Sequence, residues 1–203
     1  MLKEKYDKYK NFKELIEDEF MGIDYNIDCQ DRHSDLVILA IHGGKIEPGT
    51  SQIAKAAADE WLDSYYCFEG IKASGNFDLH ITSTNFDEPA ALALVSYHEH
   101  ALSIHGYKDD EEKCTIVGGR DIQLRDAIVK SLNEYGFKAV AATDRFAGKE
   151  ETNIVNRCRT GMGVQLEISS AQRAALFSDS KNTDPNDEFG LYINAIGEGL
   201  VFM

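Results

Sequence analysis

Two histidines in the chain share a setting. His42 follows the apolar run Leu36-Val37-Ile38-Leu39-Ala40-Ile41 and precedes Gly43; His105 follows Ala101 to Ile104 and precedes Gly106. A strand end fixes an imidazole, and a following glycine lets backbone or ligand approach closely. Ligand sites in α/β sheets lie beyond the carboxyl ends of strands. Glu47 stands five residues after His42, across Gly43-Gly44 and just ahead of Pro48-Gly49. A glycine-rich loop of that length can fold the carboxylate back beside the imidazole. Two histidines and one carboxylate, with a fourth position open to water, make a recurring catalytic zinc arrangement. The chain has no HExxH, so a helix-borne zinc motif is absent. Two structural histidines capping buried strands are the plainer alternative.

Glu167 lies in Val164-Gln165-Leu166-Glu167-Ile168-Ser169, where alternation puts Gln165, Glu167 and Ser169 on one face. That face is either solvated or aims a general base into a pocket beside the metal. Asn156-Arg157 precedes it, and an arginine fork with a neutral amide suits a carboxylate. Arg120, Arg145, Arg157 and Arg159 share a stretch, 113–160, with nine Lys/Arg against six Asp/Glu. The rest of the chain has twelve against twenty-nine, a net of −17 within the overall −14. This balance argues against nucleic acid as a partner but leaves room for an anionic ligand at the local basic wall. His80, in Leu79-His80-Ile81-Thr82, reads as a substrate contact, a residue behind the metal ligands, or a structural histidine. His98-Glu99-His100 is expected at the surface, and His33 in a turn. Cys29, Cys67, Cys114 and Cys158 are widely spaced and read as reduced thiols, mostly buried.

These residues need a framework. With 203 residues, 43% hydrophobic and 28% charged, the chain reads as one globular α/β domain over residues 1–203, a mixed, mostly parallel sheet flanked by helices. Spacing of Tyr6, Tyr9, Phe12, Leu15, Ile16 and Phe20 predicts an N-terminal helix within about residues 3–20. Strands are expected at 23–29, 36–41, 65–68, 78–82, 101–105, 115–117, 139–143 and 164–168. Helices are expected from Thr50 to Leu62, from Pro89 through Val95, from Ile122 to Tyr135, from Ser170 to Phe177 and from about Glu188 to Ile196. No apolar run approaches the ~20 residues of a membrane span, so no membrane partner is expected. The N-terminus lacks the apolar segment of a signal peptide, so synthesis in the cytoplasm is expected, with release by lysis as a route outward. A monomer is the expected working form.

Taken in order, Ala40-Ile41-His42-Gly43-Gly44-Lys45-Ile46-Glu47-Pro48-Gly49-Thr50, Leu79-His80-Ile81-Thr82-Ser83, Ser103-Ile104-His105-Gly106, Val117-Gly118-Gly119, Asn153-Ile154-Val155-Asn156-Arg157 and Gly163-Val164-Gln165-Leu166-Glu167 resemble the phage poly-γ-glutamate hydrolases. Bacterial proteins labelled phage-related replication proteins are related to these, though nothing in the residues speaks for replication. The resemblance implies a zinc-carboxypeptidase-like fold, a zinc ion and cleavage of γ-glutamyl amide bonds within a polyanionic polymer. It implies His42, Glu47 and His105 as zinc ligands and Glu167 as general base. Asn156-Arg157 resembles the dipeptide with which zinc carboxypeptidases hold a substrate carboxylate; Arg145 and Arg157 are both candidates to stabilise the oxyanion. Carboxypeptidases space the first histidine and glutamate by three, whereas the gap here is five. Two other readings remain: a zinc amidase acting on peptidoglycan peptides or N-acyl amino acids, and a non-catalytic metal- or carboxylate-binding module.

Overall fold

Leu36–Gly44 forms the central strand, β2, and every residue of it except Gly44 is buried. A strand covered on both faces reads as an unbroken apolar run, as Leu36 to Ile41 does. The computed structural model describes residues 7–201. Around β2 it places β1 (Tyr25–Gln30), β3 (Ser64–Gly70), β4 (His100–Tyr107), β5 (Thr115–Gly119), β6 (Ala139–Ala141) and β7 (Val164–Ser169), in the order β1-β3-β2-β4-β7-β5-β6. Strands β3, β2, β4 and β7 are parallel. Strand β1 runs antiparallel to β3, and β5 runs antiparallel to β7 and parallel to β6. This is the expected mixed, mostly parallel sheet.

Alternate residues of β2 feed two cores. Leu36, Ile38 and Ala40 pack with α2 (Thr50–Trp61), α4 (Ile122–Glu134) and α6 (Asp187–Leu200) on one side. Val37, Leu39 and Ile41 pack on the other with Leu15 of α1 (Phe12–Asp18) and with Ala91 and Val95 of α3 (Pro89–Tyr97). Fully burying one such side chain stabilises the fold by roughly 1.5–3 kcal/mol, so β2 is a rigid platform for His42 at its end and for the loop beyond. A short helix α5 (Ser170–Ala175) continues directly from β7, with Ser169 accepting from the Gln172 N–H as its cap. Three cysteines are buried, Cys29 is exposed, and all four are free thiols.

Two expected elements differ. Residues 3–6 of the expected N-terminal helix lie outside the described residues, and among the described residues the helix begins only at Phe12. Asn11 caps it by accepting from the Glu14 N–H, while Asp7 is drawn away to His80 and Thr82. The expected strand at 78–82 is a 3-10 turn, Asn76–Leu79, followed by extended chain. Among the described residues that segment pairs with no strand; its Ile81 carbonyl instead serves His42.

Candidate metal centre

Strict alternation along β2 would put His42 on the face of Ile38 and Ala40, away from His105. Against β3, however, Ala40 pairs with Cys67 and Gly43 with Glu69, so three residues of β2 oppose two of β3. Such a bulge re-aims a side chain. It turns His42 to the face carrying Ser103 and His105 of β4, where the two rings meet. The chain then folds back: Gly44 adopts φ +62°, and the Glu47 N–H donates to the His42 carbonyl at 2.9 Å. Glu47 Oε2 accepts from the Gly106 N–H at 2.8 Å, tying the loop after β2 to the end of β4.

The resulting geometry suits a four-coordinate metal. His42 Nδ1 lies 3.1 Å from His105 Nδ1 and 3.3 Å from Glu47 Oε1, and His105 Nδ1 lies 3.9 Å from Glu47 Oε2. Tetrahedral zinc with bonds of about 2.0–2.1 Å places its ligand atoms ~3.3 Å apart. The far nitrogens are already engaged. His42 Nε2–H donates to the Ile81 carbonyl at 2.8 Å, and His105 Nε2 shares a 2.8 Å hydrogen bond with Ser103 Oγ. Outer partners of this kind fix ring orientation and leave the inward nitrogen as the ligating one. Burial favours neutral rings and drives His105, beside His42, down to about 3; in His42 the Glu47 carboxylate outweighs burial and raises it. Burial would raise Glu47, but His42, His105 and His80 hold it at about 2, so the carboxylate is ionised. Imidazole and carboxylate donors converging on one point are the chemistry zinc takes.

His80 completes the wall. Its ring stacks on His42 at 3.9 Å between centroids, and its Nδ1 bonds Asp7 Oδ1 at 2.7 Å. With His42 and Glu47 it forms a second triple whose ligand atoms lie within 4.8 Å of one another. His105, with its Nδ1 3.1 Å from His42 Nδ1 and 3.9 Å from Glu47 Oε2, and His80 both stand within reach of a third ligand position.

A cavity of about 520 Å³ opens over these residues and is lined by His42, Glu47, His80, His105, Arg145 and Glu167, among others. Glu167 pairs in register with His105 across β4 and β7, so both point to one face. That face is not solvated: all six residues of β7 are buried. Gln165 Nε2 donates to Glu167 Oε1 at 3.2 Å, and Gln165 in turn accepts from Asn153 Nδ2 at 2.9 Å. Burial, then the nearby Glu47 charge, push the Glu167 carboxyl well above its ordinary range, against the pull of Arg145 and Arg173. Arg145 is exposed and packs over the Phe146 ring at 4.2 Å.

Asn156 and Arg157 are not among the residues lining the cavity. The Asn156 amide donates to the Gly148 and Glu150 carbonyls and accepts from the Gly163 N–H, shaping the loop beside the cavity. Arg157 Nε donates to the Thr152 carbonyl. His98, expected at the surface, is buried, with Nδ1 on the Leu94 carbonyl at the end of α3. One residue escapes linear reading altogether. Arg173 of α5 donates to the carbonyls of Ile168, Pro48 and Tyr107, each one or two residues past Glu167, Glu47 and His105. Its guanidinium lies against Gly106, where an added Cβ would sit 2.4 Å from Cζ. Only the meeting of three distant segments reveals it.

Residues 9–195 match the family model described as poly-gamma-glutamate hydrolase. The SPbeta prophage-derived UPF0714 protein YoqZ of Bacillus subtilis (strain 168) is 45% identical over 193 residues, covering 92% of this chain and 69% of that protein. A solved bacteriophage poly-gamma-glutamate hydrolase superposes with TM-score 0.94 at 42% identity, covering 97% of this chain and 98% of the other. A zinc-free structure of YndL superposes with TM-score 0.91 at 38% identity and the same coverage.

Proposed function

Because this chain belongs to the poly-gamma-glutamate hydrolase family, it is a hydrolase of γ-glutamyl bonds, and we propose that it works as a zinc enzyme with Glu167 as its general base. The observation that carries the reading is the convergence of His42 Nδ1, His105 Nδ1 and the Glu47 carboxylate at 3.1–3.9 Å, with Glu167 lining the same cavity. His42, Glu47 and His105 would hold the ion. Zinc, when bound, acidifies water towards neutral pH and polarises the scissile carbonyl.

The remaining work falls to the chain's own side chains. Ionised when a bound cation offsets the Glu47 charge, Glu167 would accept a proton from the attacking water and return it to the departing amine. Its hydrogen bond from Gln165 holds one carboxylate oxygen in place. Arg145, lining the cavity near the protein surface, is placed to meet the oxyanion or the free α-carboxylate that every γ-linked unit carries. His80, fixed by Asp7, presents its other edge beside them. Asn156 contributes by shaping the 148–150 loop, and Arg157 by bracing Thr152.

Incubation with poly-γ-glutamate, cell-wall peptides and N-acyl glutamates, followed by assay of new amines, tests the proposal. Amine release from the polymer alone is expected. Release from cell-wall peptides or N-acyl substrates in its place would move the activity to another amidase class. Bound zinc with no γ-amide hydrolysis would leave a binding module.

A further inference from the structure

Past Glu47 the cleft continues into a second cavity of about 440 Å³. The two cavities share the wall residues Glu47, Phe77, Gly106, Tyr107 and Lys108, so they form one groove that runs across the metal position. Arg173 lines the second cavity and is 5% exposed. Its Nε, Nη1 and Nη2 each donate one hydrogen bond to a backbone carbonyl, which leaves one N–H on each terminal nitrogen. The carboxylates of Glu47, Glu167 and Asp110 reach it only through space. Asp110, on the same wall, is engaged by Lys108 and by Ser170 Oγ. A buried guanidinium with no direct counter-ion among the described residues is costly unless something supplies the anion.

Resting on the hydrolase reading above, we propose that this second cavity is a subsite for the α-carboxylate of a glutamyl unit lying to one side of the scissile amide, with Arg173 as its cation. Arg145 stands in the first cavity and Arg173 in the second, so each half of the groove offers an arginine to the unit on its side of the cleaved bond. Cleavage inside a long chain needs such a two-sided path.

Removing Arg173 would also unclip three site segments, so the test adds a competing charge instead. Ala174 is exposed on α5 and lines the second cavity. Ala174→Glu places a carboxylate there while leaving the Arg173 clamp in place; Ala174→Gln adds the same bulk without the charge. Binding of short and long γ-linked glutamate oligomers is measured by calorimetry on zinc-loaded protein in a Glu167→Gln background. The ratio of kcat/KM for long over short oligomers is measured in otherwise unaltered protein. Loss of one charge-assisted contact is worth about tenfold or more, so Ala174→Glu should weaken long-oligomer binding and lower that ratio by about that factor, with Ala174→Gln close to the parent. Equal behaviour of the two variants, or weakening of short and long oligomers alike, overturns the subsite. If the parent cleaves no γ-amide yet Ala174→Glu still loses long-oligomer binding, the hydrolase reading falls and the carboxylate subsite stands.

Discussion

Replacing Glu167 by glutamine separates proton transfer from metal binding. The side chain keeps its size, and Gln165 Nε2 still has an oxygen 3.2 Å away to donate to. The groups that hold His42, His105 and Glu47 in place are the Ile81 carbonyl, Ser103 Oγ and the Gly106 N–H, and the substitution alters none of these bonds. It also removes a carboxyl that burial and Glu47 disfavour in its charged form, so the fold should not weaken. The loss is the proton acceptor, worth about 10²–10⁴-fold in rate, or roughly 3–5 kcal/mol at ~1.4 kcal/mol per tenfold. The assay pairs zinc content of the dialysed protein with initial rate on poly-γ-glutamate, beside His105→Ala as a contrast. Glu167→Gln should keep its zinc and lose the rate; His105→Ala should lose both, since two remaining ligands hold zinc poorly. Zinc loss in Glu167→Gln would make Glu167 a ligand and redraw the shell. Retention of both zinc and nearly full rate would send the search for the base to another carboxylate lining the cavity, Asp144 or Glu150.

The same geometry sets three further outcomes. Ser103→Ala removes the partner of His105 Nε2 and should weaken zinc affinity by about 10–100-fold in a chelator competition; unchanged affinity would show that this hydrogen bond does not orient the ligand. Gly106→Ala drives a methyl against the Arg173 guanidinium and should cost about 1–3 kcal/mol, a fall in Tm of roughly 2–12 °C, with a parallel loss of rate; a parent-like Tm would contradict the close contact. Asp7 is held at about 2, because hydrogen bonds from His80 and Thr82 outweigh burial, against an ordinary value of 3.8. A carboxyl lowered on folding stabilises the protein above its unfolded value and loses that contribution as pH falls through the folded one. The Tm advantage of the parent over Asp7→Asn should therefore be steady above about pH 4 and shrink towards pH 2; an advantage independent of pH would refute the Asp7–His80 pairing.

The chemistry-bearing histidines are legible in the sequence because β2 and β4 announce themselves as apolar runs, and because each run stops at His-Gly. The loop that returns Glu47 is legible from its glycines. The face on which His42 lies is not, since alternation counts residues evenly and the extra residue between Ala40 and Gly43 shows only against β3. The segment around His80 reads as a strand because Leu79 and Ile81 alternate with polar neighbours; both are buried, but in the core beside α3 rather than in the sheet. Asn156 reads as a carboxylate binder, yet its amide serves three backbone groups, a demand set by a loop whose path depends on tertiary contacts. Asp7 and Arg173 join the site from 75 and 125 residues away in their longest links, and nothing local in the chain marks them.

Cleavage within poly-γ-glutamate chains should depend on the metal. Its most direct measurement is the size-exclusion profile of the polymer after incubation with zinc-loaded protein, with protein stripped by a chelator, and with stripped protein resupplied with zinc. The first and third samples should shift to smaller chains and the second should keep its profile. An intact polymer in all three, or equal degradation by the fully stripped protein, would contradict it.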